Sequence, residues 1–230
     1  MNERDAFDEV ADRYDAELAK GLSATGEDKD YFARGRVAWL ARRLGTDGAP
    51  LRVLDFGCGT GSAAPHLRAA FPQALLHGVD PSSASLAEAS RRYGARVRAE
   101  FSSLDAVPAG DRFDIAFCNG VFHHIPVGER LGAVEWVSAR MRRSGLFALF
   151  ENNPWNPGTR YVMSRIPFDR DAVMLRPSET RRLLASAGFA VVETAYLFFF
   201  PHALRALRPA ERWLERVPGG GQYVTLARKA

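Results

Sequence analysis

The chain is expected to fold as one doubly wound α/β domain, a seven-stranded and mostly parallel sheet covered by helices. Three observations carry that expectation. From Leu51 on, strand-length apolar runs alternate with helix-length amphipathic runs, the tempo of parallel strands joined by helical crossovers. The first such run, with Leu51, Val53 and Leu54, drives into Asp55-Phe56-Gly57-Cys58-Gly59-Thr60-Gly61. Alternate glycines there let the backbone take positive φ and let a ligand approach the peptide groups. Finally, 230 residues, 47% hydrophobic and 25% charged, suffice for one sizeable core.

Taken in order, Phe7, Val10, Ala11, Tyr14 and Leu18 recur at helical spacing. A polar loop, Gly21 to Asp28, precedes a second helix bearing Val37, Leu40, Ala41 and Leu44, which Gly45, Gly48 and Pro50 close. Residues 1–48 thus read as a helical cap on a single domain spanning 1–230. After strand one, Ser62 to Phe71 reads as a helix whose free N–H groups point at the glycine turn. Ala74 to Asp80 is strand two, Ser82 to Arg92 a helix opened by serine, and Val97 to Phe101 strand three. Phe113 to Asn119 is strand four, Glu129 to Met141 a helix, and Gly145 to Glu151 strand five. Pro177 to Ala187 is a helix, Gly188-Phe189 opens strand six, and Gln222 to Arg228 is strand seven. Two connections exceed the usual length, 152–176 and 201–221. Both leave the carboxyl ends of strands, where open α/β sheets bind ligands. Their aromatics, Trp155, Tyr161, Phe168 and the Tyr196–Phe200 run among them, either line a pocket for an apolar or aromatic molecule or form a satellite core.

Several classes are disfavoured. No apolar run approaches the roughly 20 residues that span a bilayer. The opening, MNERDAFDEVADRYD, is acidic and polar, unlike a secretory signal, so a cytoplasmic protein is expected. Two cysteines, Cys58 and Cys118, make neither a disulfide framework nor a zinc site. The net charge of +4 is weak support for nucleic acid as a partner. Arg205, Arg208, Arg212 and Arg216 recur at helical spacing, but Glu211 and Glu215 break the field, and a solvated helix face is expected.

The glycine turn admits two cofactor readings. In a dinucleotide fingerprint the third glycine would fall at Ser62, and the acid at Asp55 would crowd a pyrophosphate. The pattern D-x-G-x-G-x-G instead resembles motif I of the class I S-adenosylmethionine (SAM) methyltransferases. The resemblance is specific from Leu51 to Ile125. It implies SAM as cofactor, S-adenosylhomocysteine as product, and strand order 3-2-1-4-5-7-6 with strand seven antiparallel. It also implies that Asp55, Gly57, Cys58, Gly59 and Gly61 cradle the cofactor, with Asp80 and Pro81 after strand two at the ribose. Ser103-Leu104 or Asp105-Ala106 would meet the adenine, depending on the alignment after strand three. Tyr14, in a segment similar to the family's A-x-x-Y-D, either nears the methionyl end or packs in the core.

Asn119-Gly120-Val121-Phe122-His123-His124 resembles the N-x-x-x-H-H segment of the branch typified by ubiquinone and menaquinone biosynthesis. It implies Asn119 beside the methionyl group and His123 or His124 at the acceptor. Methyl transfer needs alignment and exclusion of water, and for a hydroxyl acceptor a base near neutrality, for which His123 is the first choice and His124 the second. Glu151, expected opposite the histidines across the sheet, is a further base or an amine anchor. Two adjacent histidines do not easily chelate one ion, and no carboxylate lies at ligand spacing from them, so no metal site is expected. The expected activity is methyl transfer to oxygen or nitrogen of a small apolar or aromatic metabolite, without nucleic acid and compatible with a homodimer. Two rivals remain. A nucleic-acid methyltransferase is disfavoured because Asn119-Gly120-Val121-Phe122 lacks the paired prolines of exocyclic-amine enzymes. A SAM-binding protein without transferase activity is the other.

Overall fold

The computed structural model describes residues 20–44, 51–110, 112–169 and 172–230. The helix expected over Phe7–Leu18, with Tyr14, and the turn at Gly45, Gly48 and Pro50 lie outside these residues. Seven strands form one sheet in the order β3-β2-β1-β4-β5-β7-β6. They are β1 (Arg52–Phe56), β2 (Leu75–Val79), β3 (Ala99–Ser102), β4 (Phe113–Asn119), β5 (Met141–Asn152), β6 (Phe189–Leu197) and β7 (Gln222–Lys229). β1 pairs in parallel with β2 and β4, and β4 with β5, while β7 runs antiparallel between β5 and β6. Order and direction are those expected.

Period-two alternation splits the core into two layers. Val53, Ile115, Phe117, Ala148, Phe150, Val224 and Leu226 face helices α1 (Lys29–Leu44) and α2 (Ala64–Ala70). Leu54, Phe56, Ala116, Cys118, Phe147, Leu149 and Ala227 face the opposite layer, with α4 (Arg130–Arg140) and α6 (Pro177–Ser186). Between these, α3 (Ser83–Ala89) starts at the Ser82 cap, which accepts the Ser85 N–H at 3.1 Å. It continues as a π-turn over Ser90–Gly94 and a last turn at Ala95–Val97.

Three boundaries depart from expectation, and both long connections hold helices. The helix after the glycine turn begins at Ala64, not Ser62, because Gly61 still has φ +78° and the next residues complete a turn. Val97 ends a helix instead of opening β3, since Arg98 reverses the chain at φ +52°. β5 starts at Met141, four residues early, through an irregular stretch in which Phe113 pairs with Met141 but Ile115 already with Leu146. The connection 152–176 is not featureless. It holds α5 (Pro157–Ser164), capped by the Asn156 carboxamide, which accepts the Thr159 N–H at 2.9 Å. The connection 201–221 winds as a tight helical stretch over His202–Ala210 into α7 (Glu211–Leu214).

Candidate functional site

The turn after β1 is tied to β2 by backbone bonds: the N–H groups of Gly57 and Cys58 both donate to the Val79 carbonyl, at 2.8 and 3.0 Å. Gly57 (φ +72°) packs so tightly that an added Cβ would lie 2.3 Å from Val121. Gly59 (φ +50°) differs, for a Cβ there would meet nothing within 4 Å. Its peptide therefore faces open space, a cradle that any side chain would fill. Asp80 closes the turn from the neighbouring strand. Its Oδ2 accepts from Gly59 N–H at 2.8 Å and its Oδ1 from Ser82 N–H at 2.9 Å. Pro81 follows, exposed at the edge. β3 pairs Ser102 with Val79, so Ser103 is the residue level with Asp80. Asp105 instead lies exposed in the helical turn Leu104–Ala106.

Alternation places Asp55 and Asn119 on the sheet face that looks at α1. Asp55 Oδ2 and Asn119 Oδ1 are buried acceptors without a hydrogen-bond partner among the described residues. Burial raises the Asp55 carboxyl to about 7, helped by the neighbouring Asp80 charge and opposed by Arg36 of α1. Cys58 is a buried thiol pushed well above its ordinary range, chiefly by burial, so it is neutral and packs.

Beside Asn119 and Gly120 opens a cavity of about 480 Å³. Tyr31 and Phe32 of α1 and Phe198 and Phe199 after β6 form an aromatic wall, with the Phe198 ring 4.9 Å from Phe32 and 5.8 Å from Tyr31. The floor is a relay in which Arg36 Nε donates to Gln222 Oε1 (3.0 Å) and Gln222 Nε2 to Asn152 Oδ1 (3.1 Å). Tyr161, Met163 and Ile166 of the 152–176 connection close the far side. Trp155, expected with these aromatics, is half exposed and does not line the cavity, and Met174 is also outside it. Only Pro201, Arg208 and Gly221 of the second connection reach it. Arg208 is no solvated arginine: it ion-pairs with Glu27 at 2.7 Å and lies 4.3 Å over the Tyr31 ring.

The histidine pair meets the cavity through a polar cluster. Glu151 is not across the sheet from it but directly beneath. One carboxylate oxygen accepts the Phe122 N–H (2.8 Å) and the other His123 Nδ1 (2.6 Å), with both side chains buried. On the cavity side, Asp169 Oδ1 lies 3.3 Å from His124 Nε2 and 3.7 Å from His123 Nε2. Burial alone would lower the His123 pKa, but the Glu151 and Asp169 carboxylates outweigh it and raise it to about 10. Burial pushes Asp169 up, yet hydrogen bonds to both imidazoles bring it below the ordinary carboxylate range. The two carboxylates thus favour the charged form of His123 over the neutral one. No carboxylate stands near the histidines along the chain, but Asp169, 45 and 46 positions downstream of the pair, faces both rings in the fold.

Asp169, Arg36, Gln222 and Tyr31 escaped the sequence reading. Only Arg36 had a signal: it falls on the buried stripe Ala33, Val37 and Leu40, where a charge demands a reason.

The chain is similar to known methyltransferases. Residues 54–147 match a family described as a methyltransferase domain. Trans-aconitate 2-methyltransferase of Mycobacterium sp. strain KMS is 27% identical over 199 residues, covering 79% of this chain and 74% of its own. Malonyl-[acyl-carrier protein] O-methyltransferase of Legionella pneumophila is 32% identical over 119 residues, 46% of this chain and 40% of its own. Among solved structures, the magnesium protoporphyrin IX methyltransferase of Synechocystis PCC 6803 with bound S-adenosylhomocysteine superposes with a TM-score of 0.69. It is 19% identical and covers 99% of this chain and 98% of its own.

Proposed function

Since this chain is a class I SAM-dependent methyltransferase, we propose that it methylates an oxygen or nitrogen of a small acceptor seated in the cavity beside Asn119. When bound, SAM supplies a methyl group on a sulfonium, already activated for in-line displacement. The residues at the sheet edge fit that cofactor. The unpartnered Asp55 Oδ2 and Asn119 Oδ1 suit the methionyl ammonium, a donor that would satisfy both. The open space over Gly59 is the cradle, with Gly57, Cys58 and Gly61 shaping the turn. Asp80 would share its carboxylate between two backbone N–H groups and the ribose hydroxyls, with Pro81 beside it. The level of Ser103 with Asp80 favours Ser103-Leu104 for the adenine.

One observation carries the acceptor side. Asn119 and Gly120 belong both to the cofactor edge and to the cavity wall, so the two ligands would meet there. Alignment and exclusion of water are then supplied by the aromatic wall and the 152–176 connection, acting as a substrate lid. Glu151 and His123, paired with each other, hold the turn that presents His124 to the acceptor. The relatives act on trans-aconitate and on malonyl-[acyl-carrier protein], which makes carboxylic acids with an apolar or aromatic body the first acceptors to test.

Calorimetric titration with SAM, S-adenosylhomocysteine and NAD tests the cofactor half. SAM and S-adenosylhomocysteine should bind and NAD should not; NAD binding alone would overturn the reading. Release of S-adenosylhomocysteine against a panel of small carboxylic acids, phenols and amines, with RNA and DNA as separate arms, tests the acceptor half. Turnover only with the nucleic acids would overturn it.

A further inference from the structure

We propose that His123 Nε2, His124 Nε2 and Asp169 Oδ1 form a binding site for one divalent transition-metal ion in the wall of the acceptor cavity. The three atoms come from two segments but lie within 4.8 Å of one another. Asp169 Oδ1 stands 3.3 Å from one ring nitrogen and 3.7 Å from the other. Ligands about 2.0–2.1 Å from a tetrahedral ion are about 3.4 Å apart, close to both Asp169 separations, and the two imidazoles would draw together from within 4.8 Å to complete the set.

Adjacent histidines ordinarily point apart. Here the chain curls after Gly120 (φ +65°), with His124 N–H donating to Val121 O and Ile125 N–H to Phe122 O. The two rings then lie on one side, 4.1 Å between centroids. Glu151 settles how His123 is presented. Its carboxylate takes the Nδ1 hydrogen, leaving Nε2 to ligate, the outer carboxylate that metal-binding histidines commonly carry. Asp169 is anchored through its N–H to Ile166 O, and the chain beyond it is tied back by Val173 N–H to His123 O at 3.0 Å. Arg130 clamps the same two segments, bonding Ile125 O and Val173 O.

The donor set of two imidazoles and one carboxylate suits a zinc-class ion, whereas Mg²⁺ and Ca²⁺ prefer all-oxygen cages. Two buried carboxylates, Glu151 and Asp169, supply the compensating charge, and the ion displaces the Nε2 proton of His123 to solvent. Three protein ligands leave a position open toward the cavity that both histidines line. An acceptor oxygen coordinated there would be oriented and made more acidic. Metal binding stands independently of the methyl-transfer reading; the orienting role rests on it.

The test uses the whole chain, stripped with chelator and dialysed against Zn²⁺ or Co²⁺, with bound metal quantified. One ion per chain is expected. Asp169→Asn and His124→Ala should each weaken binding by roughly 100-fold or more, the scale of losing a ligand. Four-coordinate Co²⁺ should give intense visible absorption, shifted by acetohydroxamate as a bidentate oxygen probe. Substoichiometric metal in the wild type, or equal affinity in both folded variants, overturns the site. Stoichiometric binding without a response to acetohydroxamate overturns the open position. Calorimetry with SAM on the metal-free chain separates failure of the metal site from failure of the cofactor reading.

Discussion

The two ends of the ligand-binding edge are built by different means. On the β1–β2 side, the turn from Gly57 to Gly61 and the carboxylate of Asp80 are joined through backbone N–H groups. Its geometry follows from a short stretch of chain and one strand pairing. On the β4–β5 side, His123, Glu151 and Asp169 come from three separate segments, and it is their side chains that make the cluster. A backbone-built turn fails when a side chain is added. A site built from buried side chains fails when one is removed. The contrast can be broken or sharpened by five measurements.

The largest effect is expected at Gly59. Gly59→Val should bring SAM binding below detection, because the branched side chain fills the open cradle and φ +50° strains any L-residue. Calorimetry showing near-native affinity would remove the turn from the cofactor site.

Next comes the core of the other end. Glu151→Ala strips the buried His123 of its closest counter-charge and orphans the Phe122 N–H. Unfolding in denaturant should show a loss of about 3–5 kcal/mol, the cost of breaking a buried pair by removing one partner. A loss under 1 kcal/mol would mean that Asp169 alone balances the imidazolium.

Asp80→Ala should weaken SAM binding by about 2–3 kcal/mol, the scale of a lost charged hydrogen-bond partner. The rate at saturating SAM should change little, since the ribose is held alike in ground and transition states. A large fall in kcat with unaltered affinity would contradict the ribose role.

A smaller effect separates Asp55 from Asp80. With its carboxyl raised to about 7, Asp55 is mostly protonated at pH 6 and loses the charge that strengthens its bond to an ammonium. SAM affinity should therefore fall by about tenfold from its plateau at pH 6, in proportion to the ionised fraction, and Asp55→Asn should flatten that dependence. For folding the sign is opposite. A carboxyl whose folded value lies above the unfolded one stabilises at low pH, and that contribution is lost as the pH rises toward 7.

The smallest effect marks the boundary of the cavity. Phe199→Ala should raise the acceptor KM while leaving SAM affinity unchanged, because Phe199 lines the aromatic wall. Trp155→Ala, half exposed and outside the cavity, should alter acceptor KM negligibly and stability by no more than about 0.5 kcal/mol. Equal KM effects would extend the acceptor site along the 152–176 connection.

Legibility in the sequence follows the same division. The strand-turn-strand spacing from Leu51 to Asp80 announced the first parallel strands and the cradle, because period-two alternation and glycine chemistry act over a few residues. The full strand order came from the family resemblance. Boundaries slipped where one backbone angle decided them, at Gly61 and Arg98, with φ +78° and +52°. The pairing of Asn119 with Phe150, which sets Glu151 just beyond β4 and beneath the histidine turn, depends on sheet register. That register also brings Gln222 level with Asn152 for the relay to Arg36.

The amino-acid sequence by itself thus determined the doubly wound sheet, the glycine cradle and the presence of two histidines after β4. Local propensity and periodicity suffice for these. It is the tertiary fold that buries His123 over Glu151 and turns Asp169 toward both rings. Those facts arise from contacts between residues 28 to 46 positions apart. Burial, charge and hydrogen bonding at such contacts exist only once the strands and the 152–176 connection have come together.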